Sequence, residues 1–342
     1  MTTVPHTSDR CGIILAGGEG ERLRPFIRQL RGGLLPKQYV NFIGTRSMLE
    51  HTFHRTEKLI PPERLFTVVS RNHLSHPEVR QQLSSRPLDT VVVQPVNKET
   101  GPGILLPLMH AYKRYPQSVV AVFPSDHFIV EEELFMAHVD LAFSAVEQNP
   151  SCLVLLGVQS GDPEPEYGYI VPGREVYPGL CEVLRFIEKP EPHAALKLIQ
   201  KGGLWNTMVM IFKARTMVDL VCRAAPQMYR FFGQILDAIG TGGETDAVND
   251  AYRRLEVVNF SKGLLESFSV EYASRLMVLP VRGVHWSDWG SEHRIMSVLQ
   301  NTGHLGQLHG IPESSPCWIR QGFTSSDRLG GRLLWQMKQT SG

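Results

Sequence analysis

Short apolar runs alternate with helix-forming stretches through the first half of the chain, and this alternation limits the fold more than any other feature. Each run is rich in Val, Ile or Leu and ends at Gly, Pro or a polar residue, which is typical of strands buried on both faces of a parallel sheet. The predicted strands are Cys11–Ala16, Leu65–Ser70, Thr90–Gln94 and Ser118–Phe123. The predicted helices are Ser47–Leu59, Glu78–Leu83, Gly103–Tyr115 and Glu132–Gln148. The pattern predicts an α/β fold with a doubly wound, mostly parallel sheet, in which ligands bind beyond the carboxyl ends of the strands.

The second half has a more mixed pattern. Its predicted strands are Leu153–Val158, Tyr167–Val171, Glu182–Ile187 and Leu276–Pro280. Its predicted helices are Pro192–Gln200, Arg215–Ala224, Pro226–Ile239 and Ser261–Glu271. Beyond residue 300 the pattern thins into Gly, Ser and Pro, so we expect residues 301–342 to form a short C-terminal extension.

Composition excludes several classes of protein. Lys and Arg number 35 against 34 Asp and Glu, and this balance argues against a broad nucleic-acid surface. Five cysteines are scattered without a C-x-x-C pair, which disfavours a structural zinc site or a disulfide framework. We find neither an apolar run long enough to span a bilayer nor an N-terminal secretory signal. The expectation is a cytoplasmic protein with no membrane or nucleic-acid partner.

A glycine-rich turn follows the first predicted strand, with Gly17, Gly18 and Gly20 just ahead of Arg22. Such a turn brings backbone N–H groups against a phosphate, although a tight strand-to-helix turn with solvated arginines has the same composition. It matches neither a Walker A loop nor a full dinucleotide fingerprint. Lys37 lies close enough in sequence for one loop to place Arg22 and Lys37 over different parts of a polyphosphate.

Two aspartates from distant segments are candidate metal ligands. Asp126 follows the end of a predicted strand, and Asp288 lies between two tryptophans. Two carboxylates are typical of a Mg²⁺ site that bridges phosphates, although an aspartate in a turn is common anywhere. Zinc is disfavoured because no H-x-x-x-H is present.

Further polar residues suited to a sugar occur in the second half. Glu188 and Lys189 end a predicted strand, and Gly168 and Asn206 stand beside aromatic residues. Taken singly, each of these is more typical of a core, a turn or a charged surface.

Taken together and in order, the motifs GGEGERLRP, PKQ, PSDH, YGYI, EKP, WN and WSDWG resemble those of the sugar-1-phosphate nucleotidyltransferases. The resemblance is strongest to the mannose-1-phosphate guanylyltransferase (GDP-mannose pyrophosphorylase) branch, and it extends from Cys11 to Leu299. It implies a Rossmann-like nucleotidyltransferase fold with a sugar-binding α/β insertion. The implied catalytic domain covers residues 1–300, with a nucleotide-binding part at about 11–150 and a sugar-binding part at about 151–300.

The resemblance implies transfer of a nucleotidyl group from an NTP to a sugar 1-phosphate, with GTP and mannose 1-phosphate as the expected pair and Mg²⁺ as the cofactor. It implies catalytic roles for Arg22, Lys37, Asp126, Lys189 and Asp288, with Asp126 and Asp288 as metal ligands. It implies nucleotide binding by Leu15, Ala16, Gly17, Gly18, Gly20, Gln94, Thr100 and Gly101. It implies sugar binding by Gly168, Glu188 and Asn206.

Three positions depart from the family pattern. Glu99 stands where an amide is usual, Met208 replaces the glycine of a Trp-Asn-Ser-Gly motif, and Ser261 replaces an aspartate. Two alternatives therefore stay open: another substrate pair, such as dTTP or UTP with glucose 1-phosphate, and a catalytically silent homologue that binds a nucleotide sugar and regulates a partner. A nicotinamide-dependent dehydrogenase rests on the glycine-rich turn alone and is disfavoured.

The C-terminal extension of about 40 residues is too short for the β-helix or cupin-like isomerase domain that some relatives append, so we expect a lone transferase domain. Leu333, Leu334 and Trp335 are compatible with a homodimer contact and equally with packing on the chain's own core.

Overall fold

A nine-stranded sheet runs through the part of the chain that this computed structural model describes, residues 9–159 and 161–308. The strands are β1 (Arg10–Ala16), β2 (Leu65–Ser70), β3 (Val91–Gln94), β4 (Val119–Pro124), β5 (Phe128–Ile129), β6 (Leu153–Gln159), β7 (Gly168–Tyr177), β8 (Leu180–Glu188), β9 (Leu204–Lys213), β10 (Leu276–Val281) and β11 (Trp286–Ser287). The helices are α1 (Arg24–Arg31), α2 (Met48–Thr56), α3 (Pro77–Leu83), α4 (Thr100–Arg114), α5 (Glu132–Gln148), α6 (Pro192–Gln200), α7 (Ala214–Ala224), α8 (Pro226–Ala238), α9 (Glu244–Arg254), α10 (Glu266–Glu271) and α11 (Glu292–Asn301).

The strand order in the large sheet is β3-β2-β1-β4-β9-β6-β10-β8-β7, and β5 and β11 form a separate two-stranded ribbon. The neighbours β3, β2, β1 and β4 are all parallel, as are β6 and β10. Strands β8 and β9 pair antiparallel with their neighbours. β7, the last strand in this order, also pairs with the central strand β9, so this end of the sheet curls back on itself. The sheet is mostly parallel, as predicted, and it is continuous across residue 150.

Helices cover both faces of the sheet, which confirms the doubly wound prediction. Ile13 and Ile14 are adjacent on β1, are fully buried and belong to different core clusters. The cluster that contains Ile13 includes residues of α4, α7, α8 and α9, and the cluster that contains Ile14 includes residues of α2, α3, α5 and α6. Because a strand alternates its side chains between faces, a continuous apolar run such as β1 needs cover on both sides.

A third cluster lies beside the large sheet. It joins α1, α11 and Trp289, which is 1% exposed and stacks on Phe128 with ring centroids 4.5 Å apart. This packing anchors the chain immediately after Asp288.

Several elements are absent from the prediction. Strand β9 was not predicted. It begins at Leu204 and includes the Trp-Asn pair of a predicted sugar motif, and its main sequence signal is the buried apolar run 209–212. The short helices α1, α9 and α11 were also missed. The predicted helix Ser261–Glu271 exists, but its first five residues form a π-helical turn before α10.

In the described ranges, no helix is both long and apolar enough to cross a membrane. The tail residues Leu333, Leu334 and Trp335 lie outside the described residues, so the two alternatives for them stay open.

Candidate active site

The glycine-rich turn after β1 is held from behind by buried side chains. Gln38 Nε2 donates to the carbonyls of Ala16 (2.8 Å) and Gly18 (2.9 Å), and Ser70 Oγ donates to that of Gly17 (2.8 Å). Engaging the carbonyls on the protein side favours presentation of the loop's N–H groups to a bound anion.

Two positions in this turn disfavour a side chain, one because a Cβ would clash and the other because of its backbone conformation and a tight contact. A Cβ on Gly17 would lie 2.4 Å from Gln94 Nε2. Gly20 has a φ of +60° in the left-handed region, and a Cβ there would lie 3.3 Å from the backbone nitrogen of Lys37. Glycine therefore allows both the turn and its close approach to neighbouring elements.

The turn opens onto a cleft with two connected parts, a larger part of about 770 Å³ and a smaller part of about 310 Å³. Both parts share a lining of Leu15, Gly18, Gly20, Arg22, Lys37, Thr100 and Asp126. The larger part is also lined by Gly17, Gln94 and Glu99, and the smaller part by Gly168, Glu188, Lys189, Asn206 and Asp288. The residues predicted for the nucleotide and the sugar thus lie in adjoining compartments.

Two predicted residues do not line the cleft. The Ala16 side chain is fully buried, and its backbone acts through the carbonyl bonded to Gln38. Gly101 donates its N–H to the Val258 carbonyl (2.8 Å), and a Cβ there would lie 2.7 Å from that oxygen. Gly101 therefore permits the packing of the start of α4 against Val258.

Gln94 borders the larger part but is only 1% exposed. Its Nε2 donates to Ser70 Oγ at 3.0 Å. Because Ser70 in turn holds the carbonyl of Gly17, Gln94 supports the turn, and its predicted contact with the base stays a prediction.

Lys37 and Asp126 meet where the two parts of the cleft join. Lys37 Nζ lies 2.8 Å from Asp126 Oδ2 and donates to the Asp288 carbonyl, also at 2.8 Å. These contacts place one ammonium group between the two predicted metal-binding segments.

Asp288 is held tightly through one of its two carboxylate oxygens. Oδ1 accepts from Tyr167 Oη (2.9 Å), from Gly290 N–H (2.9 Å) and from Arg294 Nη1 (2.6 Å). Burial opposes ionisation of this carboxyl, but the positive charges of Lys37 and Arg294 outweigh it and lower the pKa of Asp288. The carboxylate is therefore charged near neutral pH.

His127, next to Asp126, is neutral in the folded protein. Its Nδ1 accepts from Trp286 Nε1 at 3.2 Å, and burial lowers the pKa of His127 to about 4. This side chain supports the ribbon of β5 and β11 and adds no positive charge to the site.

Glu188 in the smaller part of the cleft lies in a buried environment near two other carboxylates. The Glu188 N–H donates to Glu266 Oε1 (2.9 Å), and a Cβ on Gly168 would lie 2.6 Å from Glu188 Oε2. Burial is the main cause of a raised Glu188 pKa; Lys189 opposes the shift, and Glu266 and Glu99 add to it.

The family departures at 208 and 261 are in contact. Met208 lines the smaller part with a φ of +56°, and Ser261 Oγ donates to Met208 Sδ at 3.0 Å. Asn206 Oδ1 accepts from the Met208 N–H at 3.1 Å. A thioether therefore lies in the compartment predicted for the sugar.

A network of ion pairs beside the site was not predicted from the sequence. Arg294 contacts Asp288, Glu164 and Glu166, and its guanidinium lies 4.7 Å from the centre of the Tyr167 ring. Glu166 also pairs with Arg22 at 2.5 Å. The only available signal was the position of Arg294 six residues after Asp288, since its other partners are more than 120 residues away.

The residues present fit a magnesium ion that shares its coordination with a substrate. Asp126 and Asp288 supply hard carboxylate oxygens, and both line the smaller part of the cleft. Within the described residues, no group of three or more His, Cys, Asp or Glu side chains is arranged to hold a metal. Mg²⁺ is commonly held by one or two carboxylates together with phosphates and water, so this pair suits such a site.

Comparison with known proteins identifies the family of this chain. A model of the nucleotidyl transferase family matches residues 11–303. The chain belongs to the nucleotidyl transferase family. The match includes every predicted site residue.

The relatives narrow the similarity to sugar-1-phosphate nucleotidyltransferases. The xanthan biosynthesis protein XanB of Xanthomonas campestris pv. campestris (strain ATCC 33913) is 29% identical over 89% of this chain and 62% of its own length. A mannose-1-phosphate guanylyltransferase of Escherichia coli is 25% identical over 90% of this chain and 64% of its own length. The chain thus spans less than two thirds of these relatives.

A solved structure supports the same fold. The structure described as mannose-1-phosphate geranyltransferase from Thermus thermophilus has a TM-score of 0.72 and 28% identity, covering 85% of this chain and 79% of that chain. The α/β nucleotidyltransferase fold expected from the motifs is therefore confirmed.

Proposed function

We propose that this chain transfers a guanylyl group from GTP to mannose 1-phosphate, giving GDP-mannose and pyrophosphate. The observation that carries the proposal is the two-part cleft, with Lys37 and Asp126 where its parts join and Asp288 beside them in the smaller part. A nucleotide in the larger part and a sugar in the smaller part would bring their phosphates together at these charges.

In the proposed reaction, a phosphate oxygen of the sugar phosphate attacks the α-phosphorus of the nucleotide in line. The new P–O bond forms as the bond from the α-phosphorus to the β-bridging oxygen breaks, and that oxygen leaves with pyrophosphate. Catalysis then rests on alignment and charge neutralisation. The loop of Gly17, Gly18 and Gly20 and the Arg22 side chain hold the triphosphate.

At the reacting centre, Lys37 neutralises developing negative charge on the phosphates, and Lys189 binds the sugar phosphate. Asp126 and Asp288 would hold Mg²⁺, which supplies further positive charge against the phosphate oxygens. No covalent intermediate on the protein is needed.

The carboxylate of Glu99, which replaces the family's usual amide, can accept hydrogen bonds from a guanine in the larger part of the cleft. This residue has a φ of +70°, its N–H donates to Asn97 Oδ1 (2.9 Å), and its Oε2 accepts from Asn259 Nδ2 (3.5 Å). A carboxylate accepts hydrogen bonds from guanine N1–H and N2–H₂, which the other common bases do not offer together. Mannose is favoured by the names of the relatives, with Gly168, Glu188 and Asn206 facing the sugar.

The test is pyrophosphate release with Mg²⁺ across five NTPs and a panel of hexose 1-phosphates. Release with GTP and mannose 1-phosphate, well above every other pair, is the expected result. Release with dTTP or UTP and glucose 1-phosphate would overturn the substrate assignment while keeping the reaction. Binding of a nucleotide sugar without release from any pair would identify a silent homologue instead.

Asp288→Asn tests the charge at the junction. We expect turnover to fall on the order of 100-fold or more, because neutralising a metal carboxylate removes several kcal/mol of transition-state stabilisation. Folding should be retained, since Arg294 keeps its contacts with Glu164 and Glu166.

The matched control is Asp250→Asn on α9, where the aspartate pairs with Arg253 and Arg254 away from the cleft. It should leave turnover unchanged. Near-normal turnover in Asp288→Asn, measured alongside thermal unfolding, would contradict the two-carboxylate site.

A further inference from the structure

Arg294 is the most heavily paired side chain beside the cleft. Its side chain is 13% exposed, and its three nitrogens divide among three carboxylates. Nη1 bonds Asp288 Oδ1 (2.6 Å), Nε lies 3.3 Å from Glu164 Oε2, and Nη2 bonds Glu166 Oε2. A planar guanidinium held at all of its edges has little rotational freedom, so it fixes what it contacts.

The contact at Asp288 is selective for one oxygen. Arg294, Tyr167 and Gly290 all donate to Oδ1, and no described residue donates to Oδ2. Tyr167 lies beneath the guanidinium and is itself bonded to Oδ1, so two of the three donors brace each other. The arrangement sets the rotation of the carboxylate and leaves Oδ2 for another ligand.

Gly290 is part of the same arrangement. A Cβ at this position would lie 2.6 Å from Asp288 Oδ2 and 2.9 Å from Arg294 Nη1. The backbone can therefore approach the carboxylate only because residue 290 has no side chain.

Glu164 and Glu166 offset the positive charge that Arg294 brings close to a cation site. An unpaired guanidinium 2.6 Å from Asp288 would cancel the charge that attracts a cation. Glu164 and Glu166 supply two negative charges to Arg294 from its other edges. Arg22 also pairs with Glu166, so the cluster contains two arginines and three carboxylates. It therefore carries one net negative charge while Asp288 stays oriented.

We propose that Arg294 is a positioning residue that orients the Asp288 carboxylate, so that Oδ2 is presented to the divalent cation of the reaction. The proposal deepens the function proposed above and rests on the same cleft. Arg294 lies on α11, outside all of the predicted motifs, so the proposal gives this helix a role in the site.

Mn²⁺ binding to the substrate-free protein tests this role without requiring turnover. The free ion is followed by its electron paramagnetic resonance signal in wild type, Arg294→Met, Arg294→Lys and Asp288→Asn. We expect Arg294→Met to weaken Mn²⁺ binding about tenfold or more, as loss of a group that orients a metal ligand does. Arg294→Lys keeps the charge but cannot span three carboxylates, so it should restore only part of the affinity.

The matched control is Arg86→Met. Arg86 is 6% exposed at its side chain, pairs with Glu57 and lies 4.3 Å from the Phe53 ring centre, away from the cleft. This variant should lower the melting temperature and leave Mn²⁺ affinity unchanged. If Arg294→Met does not fold, Arg294→Lys alone still tests the proposal, with a several-fold loss expected.

A double variant separates positioning from general structural support. Arg294→Met combined with Asp288→Asn should bind Mn²⁺ no more weakly than Asp288→Asn alone, because the arginine then has no carboxylate to orient. Independent, multiplying losses would overturn the proposal, as would wild-type affinity in both Arg294 variants or no Mn²⁺ binding by wild type. Failure of the proposed function would give a different result: the protein would bind Mn²⁺ normally but would release no pyrophosphate with any substrate pair.

Discussion

The two parts of the cleft obtain their backbone geometry in different ways. The larger part is bordered by the glycine turn, where Gly20, which also lines the smaller part, is left-handed, and by one non-glycine residue with positive φ, Glu99 (+70°). The smaller part adjoins three non-glycine residues with positive φ: Lys189 (+49°), Met208 (+56°) and Trp289 (+45°). Glycine adopts this conformation freely, whereas other residues incur about 1–2 kcal/mol each.

This difference indicates where the molecule tolerates strain. In the described part of the chain, Glu99, Lys189, Met208 and Trp289 are the only non-glycine residues with positive φ, and all four lie in or beside the cleft. Strained backbone persists where surrounding packing determines it, as the stacking of Trp289 on Phe128 does here. The backbone of the glycine turn leaves room for phosphates, whereas the backbone around the smaller part of the cleft holds particular side chains in place.

The strongest test of this comparison adds a side chain to the turn. Gly20→Ala places a Cβ at φ +60° and 3.3 Å from the Lys37 backbone nitrogen. We expect the KM for the NTP to rise about tenfold, because about 1–2 kcal/mol of strain falls on the loop that holds the triphosphate. Steady-state pyrophosphate release with varied NTP measures it.

Gly32→Ala is the matched control, with a φ of +69° at the end of α1 and open space around its Cβ. It should lower stability by a similar amount and leave the KM for the NTP unchanged. Equal effects of the two variants on this KM would mean that the turn has no special part in nucleotide binding.

A second test removes a side chain from the other part. Met208→Gly and Met208→Ala both clear the thioether, but only glycine also relieves the positive φ. We expect both to change the KM for the sugar phosphate several-fold and to widen the range of sugars accepted, because both open the same space. The KM for the NTP should stay constant.

Stability separates these two variants. Met208→Gly should unfold at a higher temperature than Met208→Ala, since left-handed backbone costs alanine about 1 kcal/mol or more. If only Met208→Gly alters sugar selection, the backbone conformation at residue 208 controls that selection. The interpretation that the thioether controls it would then be wrong.

The parts also differ in how far sequence could predict them. The parallel strands β1 to β4 were predicted to within one residue at their ends, because each has a continuous apolar run. Strands β1, β2 and β4 are buried on both faces, whereas the edge strand β3 alternates half-buried and buried residues. Glycines and aspartates after such strands fall at one edge of the sheet by topology alone. Local pattern therefore predicted the glycine turn and Asp126 at this edge, whereas Thr100 and Gly101 came only from the family resemblance.

The second part depends on contacts between distant segments. Arg294 meets Glu166, 128 residues away, and Glu166 meets Arg22 a further 144 residues from it. No local pattern distinguishes Arg294 from a solvated arginine, because its role comes from partners brought together by β7 and α11. The contact of Met208 with Ser261 likewise appears only once β9 and the π-helical turn are packed.

The smallest expected effect concerns the acidic side chain of the smaller part. Burial raises the pKa of Glu188 above its ordinary value of 4.5, so its ionisation opposes folding. The unfolded chain ionises first as pH rises, and stability is lost as pH rises through the folded pKa. Glu188→Gln should therefore raise the melting temperature slightly at pH 7, with the gain vanishing as pH falls to about 4.

Glu182→Gln provides the control on the same strand, since its carboxylate lies 3.0 Å from Arg174. That variant loses an ion pair and should not stabilise the protein at pH 7. Thermal unfolding between about pH 4 and pH 8 distinguishes the two. A gain from Glu188→Gln that is equal at every pH would show that the amide packs better than the acid. It would contradict the interpretation that the buried charge of Glu188 destabilises the protein.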